Sequence, residues 1–105
     1  MAAKDVKIRA QQKGDVTLVK SLMSHPMETG NRKDKKTGQL IAEHYITEVT
    51  CQHNGETVLT AHWGPSVSKN PYLSFEFQGG KPGDTVTVSW VDNNGETGAG
   101  EATIK

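Results

Sequence analysis

The sequence predicts an all-β chain, an immunoglobulin-like antiparallel β-sandwich of about seven strands. Three observations carry this. Apolar residues recur with a period of two, as in strands with one buried and one wet face. The alternating runs are rich in β-branched and aromatic side chains. Turn residues separate the runs, and Asn54-Gly55 and Asn94-Gly95 supply the positive φ that tight hairpins demand. No window carries the apolar stripe of about 3.6-residue period that marks a helix.

Taken in order, a short strand is expected at Val6–Arg9. Asp15–Met23 follows, with Val16, Leu18 and Leu22 on the expected core face and Lys20 interrupting it. Strands at about Ile41–Gln52 and Thr57–Trp63 flank Asn54-Gly55, which as a two-residue hairpin pairs Cys51 with Val58 and Thr47 with His62. Tyr72–Gln78 turns Leu73, Phe75 and Phe77 inward against Tyr72, Ser74 and Glu76. Thr85–Trp90 turns in Val86, Val88 and Trp90, and a last short strand is expected at Ala99–Ile104. Two connections, Ser24–Gln39 and Gly64–Pro71, are longer than turns require, and long loops on a small scaffold often carry function.

The 105 residues suit one domain, 1–105. With hydrophobic residues at 33%, the core is thin enough that a partner could complete it. Twelve basic and 12 acidic residues balance to a formal charge of +0, which gives no net pull toward nucleic acid or an anionic membrane. No stretch approaches the roughly 20 apolar residues of a membrane span, and the start lacks the apolar run of about 7–15 residues of a signal peptide. Composition alone therefore reads as cytoplasmic.

Candidate chemistry is sparse. Cys51 is the only cysteine, so neither an intrachain disulfide nor a cysteine-based zinc site can close within these residues. In the expected register Cys51, His53 and His62 share a face but span too far to chelate one ion without a bulge. His25 and Met27 form a soft, copper-like pair, although Pro26 between them extends the segment. The histidines are read as packed or solvated, with no metal and no cofactor. Cys51, His53 and Asp84 or Asp92 could make a nucleophilic arrangement on paper, but Cys51 facing Val58 looks packed. A buried structural thiol is the preferred reading, with an intermolecular disulfide and a reactive thiol left open. Arg32–Lys36 reads as a solvated loop tip or a dock for an acidic partner. Gly79-Gly80-Lys81 lacks phosphate-loop spacing, and Trp63 and Trp90 read as core.

The long loops carry a resemblance. Ser24–Asp34 (SHPMETGNRKD), Ile46–Cys51 (ITEVTC) with Asn54-Gly55, Asn70–Phe75 (NPYLSF) and Trp90–Gly95 (WVDNNG) occur in the order and form of the SoxZ family, and the likeness runs from about Val6 to Ile104. The resemblance implies a non-catalytic, immunoglobulin-like subunit of the SoxYZ sulfur-carrier complex of thiosulfate oxidation. Its implied partner, SoxY, carries sulfur on a cysteine in a glycine-rich C-terminal arm. This chain ends Glu101–Lys105 without a cysteine and so is expected to be the non-carrying half, with other Sox enzymes docking transiently. The resemblance also implies a periplasmic location, reached by co-export with a signal-bearing partner. His25, Met27, Glu28 and Arg32, with Asn70 and Tyr72, are expected to form an exposed partner-contacting surface. The alternative is a free-standing periplasmic copper-binding β-sandwich built on His25, Met27 and other histidines.

Overall fold

The computed structural model describes residues 4–105; Met1–Ala3, which head the leader reading, lie outside the described residues. Seven strands and no helix are present among them: β1 (Lys4–Lys13), β2 (Val16–Met23), β3 (Ile46–His53), β4 (Glu56–His62), β5 (Tyr72–Gln78), β6 (Thr85–Asp92) and β7 (Thr97–Thr103). Their order is β4-β3-β6-β7-β1-β2-β5, and β1 joins two sheets into a sandwich. β1 runs antiparallel to β2 from Val6 to Lys13, but at Lys4 and Asp5 it pairs in parallel with Gly98 and Ala99 of β7. That two-residue ladder is a parallel exception in an otherwise antiparallel fold. The expected Val6–Arg9 strand is thus longer, because it serves both sheets.

Turn chemistry behaves as the residues require. Asn54 and Gly55 take φ of 49° and 88°, the paired positive values of the tight β3–β4 hairpin. The core gathers Val19 and Met23 from β2, Ile46, Val49 and Cys51 from β3, and Val86 and Val88 from β6, all fully buried. Phe77 and Trp90 are buried beside them, and Leu73, Phe75 and Trp63 pack on the cluster, so the inward faces expected of β5 and β6 are as read.

β2 is the exception. Its buried residues are Thr17, Val19, Ser21 and Met23, while Val16 and Leu18 are half-buried and Leu22 is exposed. The strand is apolar on both faces, and alternation alone cannot choose between them. Two hydroxyls mark the inward face because each finds an acceptor there: Thr17 Oγ1 donates to the Gly79 carbonyl at 2.7 Å and Ser21 Oγ to the Leu73 carbonyl at 3.1 Å.

Two further expectations are corrected. The strand expected from Ile41 starts at Ile46, because Leu40–Tyr45 folds back on the long connection instead. A bulge between Cys51 and Gln52 shifts the β3–β4 register, so Cys51 faces Leu59 and His62 faces Glu48, and Val58 lies exposed.

The assignment of the two β2 faces has a direct check. Met23→Ala is expected to destabilise the fold by about 2–5 kcal/mol, whereas Leu22→Ala stays within about 1 kcal/mol. Urea unfolding of both variants reads the difference, and equal losses would contradict the inward face described.

Candidate functional site

The connection between β2 and β3 is an ordered ribbon. Glu28 and His44 exchange backbone hydrogen bonds at 2.7 and 3.0 Å, and Arg32 and Asp34 continue the pairing to Ile41 and Gln39. The tip closes at Asp34–Gly38, where the Gly38 N–H donates to the Asp34 carbonyl at 2.8 Å. The second long loop is fastened to its base. His25 N–H donates to Asn70 Oδ1 at 3.0 Å, and Asn70 N–H returns to the His25 carbonyl at 2.9 Å. Asn70 adopts φ of 51°, a left-handed conformation that asparagine tolerates.

Beneath the ribbon lies a buried polar cluster. His25, 2% exposed, places its ring edge-on to Trp90 with centroids 4.9 Å apart. Its Nδ1 accepts the Met27 N–H at 3.1 Å, which leaves the proton on Nε2. That Nε2–H donates to Asp92 Oδ2 at 2.9 Å. His44 Nε2 lies 2.7 Å from the same oxygen and 2.9 Å from Glu96 Oε2. The other Asp92 oxygen accepts the N–H groups of Asn94 at 3.0 Å and Glu96 at 2.8 Å. Burial pushes the Asp92 carboxyl upward, but the His25, His44 and backbone donors outweigh it and hold the group below the usual carboxylate range. Asp92 at the end of β6 therefore anchors both ends of the ribbon, through His25 at its start and His44 at its return.

Nitrogen and oxygen atoms of His25, His44 and Asp92 all lie within 4.8 Å of one another, close enough to suggest a cation. The tautomer argues otherwise. An ion on His25 Nε2 would have to displace a proton held there by the Met27 N–H on the opposite nitrogen, the reverse of the support that metal-bound histidines receive. The copper-like pair of the sequence is committed in the same way, since Met27 Sδ accepts the Ile46 N–H at 3.3 Å.

The six residues expected on the surface separate into groups. His25 and Met27 are buried and so cannot themselves touch a partner in this conformation; the physical reason is that they supply the polar and apolar underside of the ribbon. Glu28 and Arg32 remain accessible and are joined by a two-pronged ion pair at 3.1 and 2.5 Å, which raises the arginine and lowers the carboxylate. Asn70 is exposed at the loop junction. Tyr72 belongs to a different face, opposite Leu22 on the outside of the β1–β2–β5 sheet. Arg32, Met27 and Lys69 line a shallow groove of about 370 Å³ on the ribbon.

His53 and Asp84, two members of the arrangement drawn around Cys51, do meet at 2.8 Å. Cys51 is fully buried and burial pushes its thiol up to about 11, so no thiolate nucleophile is available there. Sequence reasoning missed His44, Asp92 and Glu96 as a group. His44 carries no local signal, and only the return of the ribbon over the β6–β7 turn brings it to His25.

Asp92→Ala is expected to cost about 3 kcal/mol, since each buried donor left without its acceptor costs about 1–3 kcal/mol. The sign with pH follows from the lowered folded value. The stability gap between wild type and Asp92→Asn is full above the ordinary aspartate range near 4 and shrinks as pH falls through the lower folded value. Urea melts from pH 7 to pH 2 measure it, and a constant gap would contradict an ionised anchor.

The fold resembles two solved superoxide reductases. One, a superoxide reductase (neelaredoxin) from Ignicoccus hospitalis, aligns at a TM-score of 0.69 and 17% identity over 99% of this chain and 81% of the other. The second, a superoxide reductase in its oxidised state, aligns at 0.62 and 17% identity over 100% of this chain and 90% of the other. At such identity the likeness concerns the sandwich alone. No curated protein matches the sequence. Residues 6–103, which include every strand core, both long loops and the His25–Asp92 anchor, match the family model described as sulphur oxidation protein SoxZ, and the chain belongs to that family.

Proposed function

We propose that this chain is the non-catalytic, non-carrying subunit of a heterodimeric sulfur-carrier complex, paired with a SoxY-type chain whose cysteine bears the sulfur intermediates. The observation that carries this reading is the state of Cys51. A protein of a sulfur-oxidation system that held substrate sulfur itself would need an accessible thiolate, since the thiolate is the nucleophile. The one cysteine of these 105 residues is fully buried with its thiol pushed up to about 11. Sulfur chemistry must then be housed on another chain, and this one supplies structure and docking surface.

Family membership supports the partner, and a periplasmic site reached by co-export follows as part of the same proposal. A buried Cys51 suits an oxidising compartment, because burial keeps it from pairing with other thiols. The ribbon, held by its buried anchor, would present Glu28 and Arg32 in a fixed geometry to the enzymes that act on the loaded partner.

Native mass spectrometry of the chain co-expressed with a SoxY-type subunit tests the reading. The expected result is a 1:1 complex in which thiosulfate-derived mass resides on the partner. Sulfur-derived mass on this chain, or a chain that stays monomeric beside the partner, would overturn it. Cys51→Ala is expected to leave the load on the partner undiminished, and native Cys51 should react with a thiol reagent only after unfolding.

A further inference from the structure

The tetrapeptide Asn-Gly-Glu-Thr occurs twice in this chain, at Asn54–Thr57 and at Asn94–Thr97, and each copy turns one strand back on the next. Asn54-Gly55 closes the β3–β4 hairpin and Asn94-Gly95 the β6–β7 hairpin, with Gly55 at φ of 88° and Gly95 at 80°. Asparagine followed by glycine is especially prone to attack on its own side chain, because glycine leaves its backbone nitrogen unshielded and the chain free to bend. The two copies share their local chemistry, so any difference in reactivity between them comes from the fold.

The fold treats them unequally. The Asn54 carboxamide is held at both ends: its Oδ1 accepts the Thr85 N–H at 2.9 Å, and the side chain also hydrogen-bonds the Asp84 carboxylate. Asn93 is held likewise, with Oδ1 accepting the Tyr45 N–H at 2.9 Å and Nδ2 donating to the Glu43 carbonyl at 3.1 Å, and no glycine follows it. Asn94 is exposed, and among the described residues its carboxamide makes no hydrogen bond; only its backbone N–H is engaged, at Asp92 Oδ1. The Gly95 N–H donates to the Asp92 carbonyl at 3.1 Å, the longest of the bonds that close this turn.

We propose that Asn94 is a site of spontaneous deamidation, and that its conversion to isoaspartate unlatches the ribbon between β2 and β3. The Gly95 nitrogen bonds to Asn94 Cγ and passes its proton, through water, to the amide nitrogen; the Cγ–Nδ2 bond breaks and ammonia leaves. Water then opens the succinimide ring at either carbonyl, which yields aspartate or isoaspartate at position 94, and no electrons are exchanged. In the isoaspartate the main chain runs through the former side chain and gains one methylene. That extra atom falls between the N–H groups of residues 94 and 96, which now meet on Asp92 Oδ1 at 3.0 and 2.8 Å. A new negative charge also arrives two residues from Asp92 and from Glu96, the acceptors of His44 Nε2. The two backbone donors then no longer converge on one oxygen, and a buried carboxylate short of donors is costly. Since Asp92 holds both His25 and His44, a lengthened β6–β7 turn loosens both ends of the ribbon at once.

The test ages the full chain at neutral pH and follows both asparagines by peptide mapping, with enzymatic methylation of isoaspartyl carboxyls as the probe for the lengthened backbone. In the folded protein position 94 is expected to deamidate at least about tenfold faster than position 54, whose side-chain hydrogen bonds must break first. In urea, where only the shared tetrapeptide acts, the two rates should converge. Amide hydrogen exchange reads the consequence. The N–H groups of Glu28 and His44, which bond across the ribbon, are expected to exchange faster in aged wild type than in fresh protein, while the core of β6 keeps its protection. Asn94→Ser, aged alongside, should keep the ribbon protected. Equal rates at the two positions in the folded chain would overturn the proposal. So would unchanged exchange at Glu28 and His44 once position 94 is converted, or an equal loss of protection in aged Asn94→Ser.

Discussion

The buried carboxylate of Asp92 is the constraint on which the decorated end of the molecule depends. A charged oxygen pair inside a protein is tolerable only when donors surround it. Asp92 has four: two imidazole nitrogens from the ribbon and two backbone N–H groups from its own β6–β7 turn. Since His25 and His44 lie at the two ends of the ribbon, satisfying this one group fixes where the ribbon leaves and re-enters the sandwich. The same contacts seat Trp90, whose indole lies edge-on to His25 and over Gly98, where even a methyl group would overlap the ring. The whole ribbon is thereby coupled to the core through a few short hydrogen bonds.

Much of the fold was legible because strand periodicity and turn chemistry are local. β5 and β6 present one apolar and one polar face, so alternation alone set their inward residues, and Asn54-Gly55 named its own hairpin. β2 defeated the same logic because Val16, Leu18 and Leu22 rival Val19 and Met23. What decided the face was the match of Thr17 and Ser21 with the carbonyls of Gly79 and Leu73, residues far away in sequence. The bulge after Cys51 was equally invisible, since no residue type announces it, and it moved His62 off the expected face.

The site was legible only in part, for a related reason. The block Ser24–Asp34 stood out, but its residues divide between an underside and an outer surface. His25 and Met27 look like functional surface residues in a polar loop, yet they are the loop's attachment. Their partners, Asp92 and the Ile46 N–H, come from β6 and β3. A chemically varied loop sequence thus mixes residues that hold the loop with residues that it displays, and only tertiary contacts separate them.

The misread face of β2 and the burial of Cys51 point the same way. A strand that is apolar on both sides leaves its orientation to partners elsewhere in the sandwich, and Thr17 and Ser21 find theirs only on the inner side. The Cys51 thiol, buried and raised to about 11, is likewise closed to nucleophilic chemistry. Lysine and arginine are confined, among the strands, to β1 and β2, so the outer side of β2 sets apolar side chains among the cations Lys7, Arg9 and Lys20. Each feature alone has a bland explanation in packing or solvation. Both are fixed by tertiary contacts, the one by the carbonyls of Gly79 and Leu73 that Thr17 and Ser21 reach, the other by the packing of β3 into the core.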